Sequence, residues 1–320
     1  MSWTLRTVAV EKRKLGHSSL EFAPIALGGV VFGWTIGEAM THKLLDVFVD
    51  AGFSLVDTAE SYTYWAPGSQ WGQSETLIGS WLKKNPGKRD RLLIATKCTV
   101  LSRTSLKASV ESSLARLNTD YIDLFQSHRD DQDVPLEETL STYGELIKEG
   151  KIRYIGASNY DASRLAEAAR VARDKGLPQY QSLQPHYNLL ERPLFESALE
   201  EECLRQEIGV IPYYPLAAGF LTGKYRSEGD FGKSLRGASQ TVRKYMDDRG
   251  GGVLKALDAA ARKHNTSNTT VALAWLLHRK SITAPIVSAT NLDQLRELLA
   301  APQLKLDEES LIALDKASAA

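Results

Sequence analysis

Short apolar runs of five to eight residues alternate with amphipathic segments of helical length, and the alternation repeats eight times with no Gly/Ser-rich or Pro-rich linker. Such a pattern predicts βαβ units and a parallel sheet. The expected strands are PIALGG (24–29), SLVDT (54–58), LLIATK (92–97), YIDLFQSH (121–128), IRYIGAS (152–158), QSLQPHYN (181–188), GVIPYYP (209–215) and ITAPIVSA (282–289). Eight is the number that closes a barrel, so the chain reads as a single (β/α)8 TIM barrel domain over residues 1–320. The rival doubly wound sheet requires a glycine fingerprint after the first strand. Neither GGVVFG (28–33) nor GFLTGK (219–224) supplies a dinucleotide or phosphate-loop motif.

Helix punctuation supports the reading. Asp161 is placed to cap its helix, and Gly52, Gly150 and Gly176 stand where helices must end with positive φ. Two segments break the alternation. Residues 11–23 read as a polar hairpin around Gly16 that plugs the barrel bottom, and residues 216–250 form a long Gly-rich, basic excursion after the seventh strand.

Charge and composition exclude several functions. Thirty-nine basic residues balance thirty-nine acidic ones without long like-charged runs, so neither nucleic acid nor an anionic membrane surface is an expected partner. No apolar stretch is long enough to span a bilayer, and the N-terminus lacks the pattern of a secretory signal, so a cytoplasmic protein is expected. Cys98 and Cys203 have no CxxC partner and read as buried thiols, and no spaced metal-ligand set or HExxH motif is present, so no metal is expected.

In a barrel of this kind the working residues stand at the C-terminal ends of strands. Asp57, Lys97 and His128 end the second, third and fourth expected strands, and Tyr62 lies in the loop five residues past Asp57. A tyrosine is a weak acid, and a nearby ammonium favours its phenolate and makes proton donation to a carbonyl oxygen feasible. Asp57 would hold Lys97 in place, and His128 could orient the carbonyl oxygen as negative charge develops on it. Taken singly, each residue has a plainer reading as a cap, a surface charge or a satisfied polar group.

With these residues the sequence resembles the aldo-keto reductase superfamily. The matching stretches are FSLVDTAESY (53–62), IATK (94–97), LNTDYIDLFQSH (117–128), GKIRYIGASNY (150–160), LQPHYNL (183–189), VIPYYPLAAGFLTGKY (210–225) and APIVSATNLDQL (284–295), and the chain looks most like the bacterial long-loop branch. The resemblance implies a catalytic tetrad of Asp57, Tyr62, Lys97 and His128 that reduces an aldehyde or ketone reversibly, with Tyr62 as general acid and base. It also implies an extended NADPH across the barrel mouth. Ser158, Asn159 and Gln184 would meet the carboxamide and Tyr213 would stack on the nicotinamide. Leu216, Leu221, Gly223 and Lys224 would line the pyrophosphate, and Ser288, Gln294 and Glu297 would approach the adenosine end.

The sequence departs from the family pattern where the 2′-phosphate is held. The eighth strand runs into Ser288, Ala289, Thr290 and Asn291, with no basic residue before Arg296, and Leu298 stands where an asparagine is frequent. NADPH is therefore expected with weakened discrimination, and NADH is possible. Tyr64, Trp65 and Trp71 either line an aromatic substrate pocket, with Trp34 and Arg129, or pack their loop. His186 is expected to pack or to form a pocket wall and not to be a second catalytic base. Tyr213 and Tyr214 should point to opposite sides of a strand, with Tyr213 facing the cofactor. Lys224, Lys233, Arg236, Arg243 and Lys244 suit a dinucleotide phosphate or an ordinary solvated loop equally. A cofactor-sensing binding subunit is the alternative function, disfavoured because no N-terminal partner-binding extension is seen. Substrate identity and oligomeric state stay open.

Overall fold

The structure, a computed structural model, describes residues 10–319 apart from 67, 236 and 238. The expected N-terminal leader reading falls largely on residues outside that range. The chain opens with an antiparallel pair, β1 (Arg13–Lys14) and β2 (Glu21–Phe22), followed by eight parallel strands: β3 (Ala26–Gly28), β4 (Leu55–Asp57), β5 (Leu93–Cys98), β6 (Ile122–Ser127), β7 (Ile152–Ser158), β8 (Ser182–Gln184), β9 (Gly209–Val210) and β10 (Ile286–Val287). Each neighbours the next, and β10 pairs with β3. The remaining seam is closed by a parallel bridge between Val210 and Ile282, with Thr283 N donating to Val210 O at 2.8 Å and Ile286 N to Pro212 O at 2.9 Å. The result is the expected (β/α)8 barrel.

Helices α1 (Glu38–Asp50), α2 (Gln73–Lys84), α3 (Arg103–Leu117), α4 (Leu136–Lys148), α5 (Ala162–Lys175) and α6 (Ala198–Arg205) follow successive strands. Asp161 caps α5 by accepting from Arg164 N, and Gly52, Gly150 and Gly176 take φ of 87°, 75° and 65° at helix ends, as expected. The excursion after β9 carries two 3-10 turns and a short helix, α7 (Gln240–Arg243), before α8 (Asp248–Lys263), α9 (Asn268–His278), α10 (Leu292–Ala300) and α11 (Glu308–Ser318) complete the wall. None of the described helices is long and apolar enough to cross a membrane.

Side-chain alternation divides the barrel interior into two storeys. The lower storey is apolar: Ala26, Leu55, Ala95, Leu124, Ile211, Ala284 and Ile286 pack with Leu15, Leu20 and Phe22 of the hairpin. The hairpin is thus the expected bottom plug. Gly16 takes φ +54°, and a Cβ there would lie 2.5 Å from Gln181 O, while Arg13 donates to the carbonyls of Leu277 and Ile282. The upper storey is polar and contains Asp57, Lys97, Gln126, Ser182 and Gln184, all buried.

Gly156 makes room for this upper storey. A Cβ on it would lie 2.1 Å from Ser182 Oγ and 3.0 Å from Gln126 Cγ. We expect Gly156→Ala to destabilise the protein by about 1–3 kcal/mol, the usual range for overpacking. A urea midpoint equal to that of the wild type would refute this packing argument.

Candidate active site

Four segments deliver Asp57, Tyr62, Lys97 and His128 to one place above the plugged storey. Lys97 Nζ donates to Asp57 Oδ1 and Oδ2, each at 2.8 Å, and to Thr58 O at 2.6 Å. These contacts occupy all three ammonium protons. The same ammonium lies 4.9 Å from the centre of the Tyr62 ring, and the Tyr62 hydroxyl donates to Asp57 Oδ2 at 3.3 Å. The His128 ring stands 6.1 Å from the Tyr62 ring, edge to face. Asp57 Oδ1 also accepts from Gln184 Nε2 at 2.9 Å and from Gln126 Nε2 at 3.3 Å.

The loop that returns Tyr62 depends on an uncommon backbone. Thr63 is buried and takes φ +70°, a left-handed conformation that a β-branched residue rarely adopts. Its hydroxyl pairs with Ser69 at 2.8 Å, and its carbonyl accepts from Ala66 N at 2.8 Å. This bend separates half-buried Tyr62 from exposed Tyr64.

Electrostatics sets the protonation states. Burial pushes the Lys97 ammonium below the ordinary lysine range, and the charge and hydrogen bonds of Asp57 oppose that push. His128 is driven down to about 3, first by burial and then by the positive charges of Lys97 and Arg129. It is therefore a neutral imidazole at physiological pH. Its Nδ1 is buried with no hydrogen-bond partner among the described residues.

The family model described as the aldo/keto reductase family matches residues 24–319. Similar proteins include the aldo-keto reductase dtxS3 of Metarhizium robertsii, 32% identical over 98% of this chain and 92% of its own length. Protein tas of Escherichia coli is 30% identical over 96% of this chain and 97% of its own length. The uncharacterized oxidoreductase YrpG of Bacillus subtilis is 29% identical over 96% and 95%. The chain belongs to the aldo/keto reductase family. Membership makes it an oxidoreductase acting on small molecules with a nicotinamide cofactor.

For an aldo/keto reductase the relevant test is whether these residues fit an extended dinucleotide. Among the residues expected at the nicotinamide, Ser158 Oγ donates to Gln184 O at 3.0 Å and accepts from Asn159 Nδ2 at 3.0 Å. Asn159 Nδ2 also donates to His128 O at 2.9 Å, and Asn159 Oδ1 accepts from the Tyr213 hydroxyl at 2.9 Å. The structure brings Ser158, Asn159, Gln184 and Tyr213 together beside the tetrad. The His186 ring stacks on Tyr213 at 5.1 Å and 15°. Tyr214 corrects one expectation. It takes φ +53° and so leaves the strand geometry, and its ring touches His186 and Tyr213 instead of pointing to the opposite face.

The next stretch forms a left-handed turn. Leu216 has φ −106° and ψ 20°, and Ala217, Ala218 and Gly219 follow with φ of 49°, 57° and 95°. The N–H groups of Ala217, Gly219 and Leu221 are spent within this stretch, on Tyr214 O and, for the last two, on Leu216 O. Gly223 has φ +77°, and a Cβ there would meet Arg226 and Asn268. Leu221 is fully buried, so only its backbone is available to a ligand. Lys224 lies 5.0 Å over the Tyr225 ring and pairs with no carboxylate among the described residues. Lys233 pairs with Asp230, Lys244 with Glu191, and Arg243 lies over Phe231, whereas Arg236 falls outside the described residues.

Among the residues expected at the adenosine, Ser288 Oγ donates to Gly28 O at 2.7 Å, and Gln294 Oε1 accepts from Thr290 N and Oγ1 at 2.8 and 2.9 Å. The Glu297 carbonyl accepts from Thr270 Oγ1 at 3.3 Å, which joins α10 to α9. Arg296, the first basic residue of this region, is paired with Asp293 at 2.7 Å, and Leu298 is buried in the core. The residues fit a dinucleotide but present no unpaired cation for a 2′-phosphate on this stretch.

Trp34 and Trp65 meet at 6.1 Å, and Tyr64 touches both Trp65 and Trp71 at 5.5 Å. Arg129 is exposed, and its charge acts on His128 and Tyr213. Sequence reasoning missed Gln126, Thr58 and Thr63. Gln126 was detectable, since it stands two residues before His128 on one strand and must share its face. The carbonyl role of Thr58 and the left-handed turn at Thr63 leave no mark in residue type.

Because His128 titrates near 3 when folded and near the ordinary ~6.5 when unfolded, the unfolded chain takes up its proton first as pH falls. Stability is therefore lost from about pH 6.5 downward through this residue. NMR of the His128 ring should show no protonation between about pH 5 and 8. The urea stability of His128→Gln should fall less steeply than the wild type's over the same range, and a ring shift with a midpoint near 6.5 would contradict the burial argument.

Proposed function

We propose that this aldo/keto reductase reduces aldehydes or ketones to alcohols reversibly, with Tyr62 exchanging the proton at the carbonyl oxygen. The observation that carries the reading is the fully buried Lys97 ammonium, saturated by Asp57 and Thr58 and 4.9 Å from the Tyr62 ring. A bound NAD(P)H would supply the hydride.

This chain's residues account for the rest. A substrate carbonyl placed beside Tyr62 receives its phenolic proton, and the positive field of Lys97 stabilises the phenolate left behind. Lys97 acts through space, because its protons are already committed. Neutral His128 can donate or accept a hydrogen bond without competing for charge, so it orients the oxygen on which charge builds. In the alcohol-oxidising direction the Tyr62 phenolate takes the proton back. Asn159, fixed between His128 O and the Tyr213 hydroxyl, would position the carboxamide with Ser158 and Gln184. We place the reaction in the cytoplasm, where the two unpaired buried thiols, Cys98 and Cys203, are stable.

Tyr62→Phe should lower kcat by about 10²–10⁴-fold, the usual span for a lost general acid, while leaving cofactor affinity unchanged by fluorescence titration. Wild-type turnover in this variant would remove Tyr62 from the reaction.

We infer NADPH as the cofactor, with NADH accepted. The adenosine end offers Thr290 hydrogen-bonded to Gln294 and Arg296 paired with Asp293. NADPH and NADH should bind within roughly tenfold of one another, because a charge-assisted phosphate contact worth more than that is missing. Thr290→Arg should tighten NADPH by roughly tenfold and leave NADH unchanged, read by fluorescence quenching. Strong NADPH preference in the wild type would show that another cation reaches the phosphate.

A further inference from the structure

We propose that Glu75 is a positioning residue for the tetrad: a second buried carboxylate, behind β5, that fixes Lys97 and the base of the Tyr62 loop and adds its charge to the field at the ammonium. The proposal rests on the carbonyl-reductase reading of the site. Glu75 stands in the first turn of α2 and is wholly buried. Its Oε1 accepts from Thr96 Oγ1 at 2.6 Å, and its Oε2 accepts from Arg116 Nε at 2.7 Å. Side chains alternate along β5, so Thr96 faces the helices while Lys97, the next residue, faces the barrel interior. Glu75 therefore clasps the strand from outside, at the position next to the ammonium.

Arg116, near the end of α3, carries the same anchor to the loop. It crosses Gly72 so closely that a Cβ there would lie 2.2 Å from its Cδ and Nε, and Gly72 takes φ +74°. Gly72 N donates to Glu60 O at 2.7 Å, and Glu60 N donates to Lys97 O at 3.1 Å. The two ends of the segment that carries Tyr62 are thus joined to each other and to β5, with Arg116 packed against the joint. A buried ion pair usually holds a fold no better than apolar side chains of the same size, so packing alone does not account for the charge here. The charged and titratable groups around Lys97 come from each neighbouring element: Asp57 from β4, Tyr62 from the loop, Glu75 from α2 and His128 from the end of β6. Burial pushes the ammonium down, and Asp57 first, then Glu75, oppose that push. Beside Glu75 and Arg116, burial pushes the Glu60 carboxyl and the Cys98 thiol up.

The test follows reduction of benzaldehyde by the full-length enzyme with saturating NADPH between about pH 6 and pH 10. Glu75→Gln keeps the side-chain shape and removes the charge. It should lower kcat by about tenfold with KM within about twofold, and move the basic limb of the profile to lower pH by about half a unit or more. The direction follows because losing a negative charge makes Lys97 and Tyr62 shed their protons more readily. Glu75→Asp and Thr96→Val keep the charge and disturb the clasp, so each should lower kcat and leave the limb where it is. A wild-type kcat or an unmoved limb in Glu75→Gln overturns the proposal, since a pair that only holds the helices together has no hold on the limb. Should Glu75→Gln fail to fold, Thr96→Val decides: a lowered kcat at unchanged KM supports the positioning role, and wild-type kcat overturns it. If no carbonyl is turned over, the reductase reading fails, and NMR of isotopically labelled tyrosine decides the role of Glu75 separately. The Tyr62 signal, identified by its loss in Tyr62→Phe, should titrate at lower pH in Glu75→Gln than in the wild type. Equal midpoints overturn the proposal.

Discussion

The site depends on one buried ion pair. Lys97 and Asp57 are both wholly removed from solvent, and each is tolerable there only because of the other. Removing either partner of such a pair usually costs about 3–5 kcal/mol, since the survivor is left charged in a medium that cannot solvate it. Here the compensation is unusually complete. Both Asp57 oxygens accept from Lys97, with Gln184, Gln126 and Tyr62 donating around them, and Thr58 O takes the last ammonium proton. Such a network is rigid because every rearrangement breaks a bond that water cannot replace. Rigidity at this point gives the Tyr62 phenol a fixed electrostatic environment.

The pair also explains the two storeys of the barrel. A polar layer in the interior needs an apolar layer beneath it, or water would enter from the open bottom and weaken every charge interaction above. Leu15, Leu20 and Phe22 of the hairpin close that end against Leu55, Leu124 and Ile211. Gly156 provides the space in which Gln126 and Ser182 fit below Asp57. The hairpin stands far from the chemistry, yet it keeps the dielectric low where Lys97 and Asp57 meet.

Alternation along the chain revealed the barrel and placed Asp57, Lys97 and His128 at strand ends, because a buried parallel strand must show both its period and its limit in residue type. It overstated the length of six strands, and most severely that of the last three. QSLQPHYN, GVIPYYP and ITAPIVSA each contain a proline, and β8, β9 and β10 keep only two or three residues of regular pairing beside Pro185, Pro212 and Pro285. A proline has no N–H for the ladder, and in a closed barrel every strand is central. Parallel alignment nevertheless resumes beyond two of them, at the bridge between His186 and Tyr213. The site was less legible where function is carried by backbone. Thr63, Tyr214, Ala217 and Ala218 all adopt left-handed conformations that their side chains disfavour, and apart from the glycines only Asn159 among the left-handed residues named here has a type that announces the possibility.

Those strained residues fall in two places. Thr63 lies next to Tyr62 of the tetrad, whereas Tyr214, Ala217 and Ala218 lie in or just before the left-handed turn after β9, and strain of this kind persists only where surrounding contacts over-determine the backbone. At Thr63 the determinants are its burial, its bond to Ser69 and the Ala66 turn. At Ala217 and Ala218 they are burial in the core and the bonds Ala217 N to Tyr214 O and Gly219 N to Leu216 O. The basic residues of the same excursion are spent differently: Arg226 holds Asp258, Lys233 holds Asp230 and Lys244 holds Glu191. Of the positive charges read from the sequence as a possible phosphate clamp, Lys244 instead ties the excursion to Glu191 in the loop after β8, and Lys233 braces its own turn.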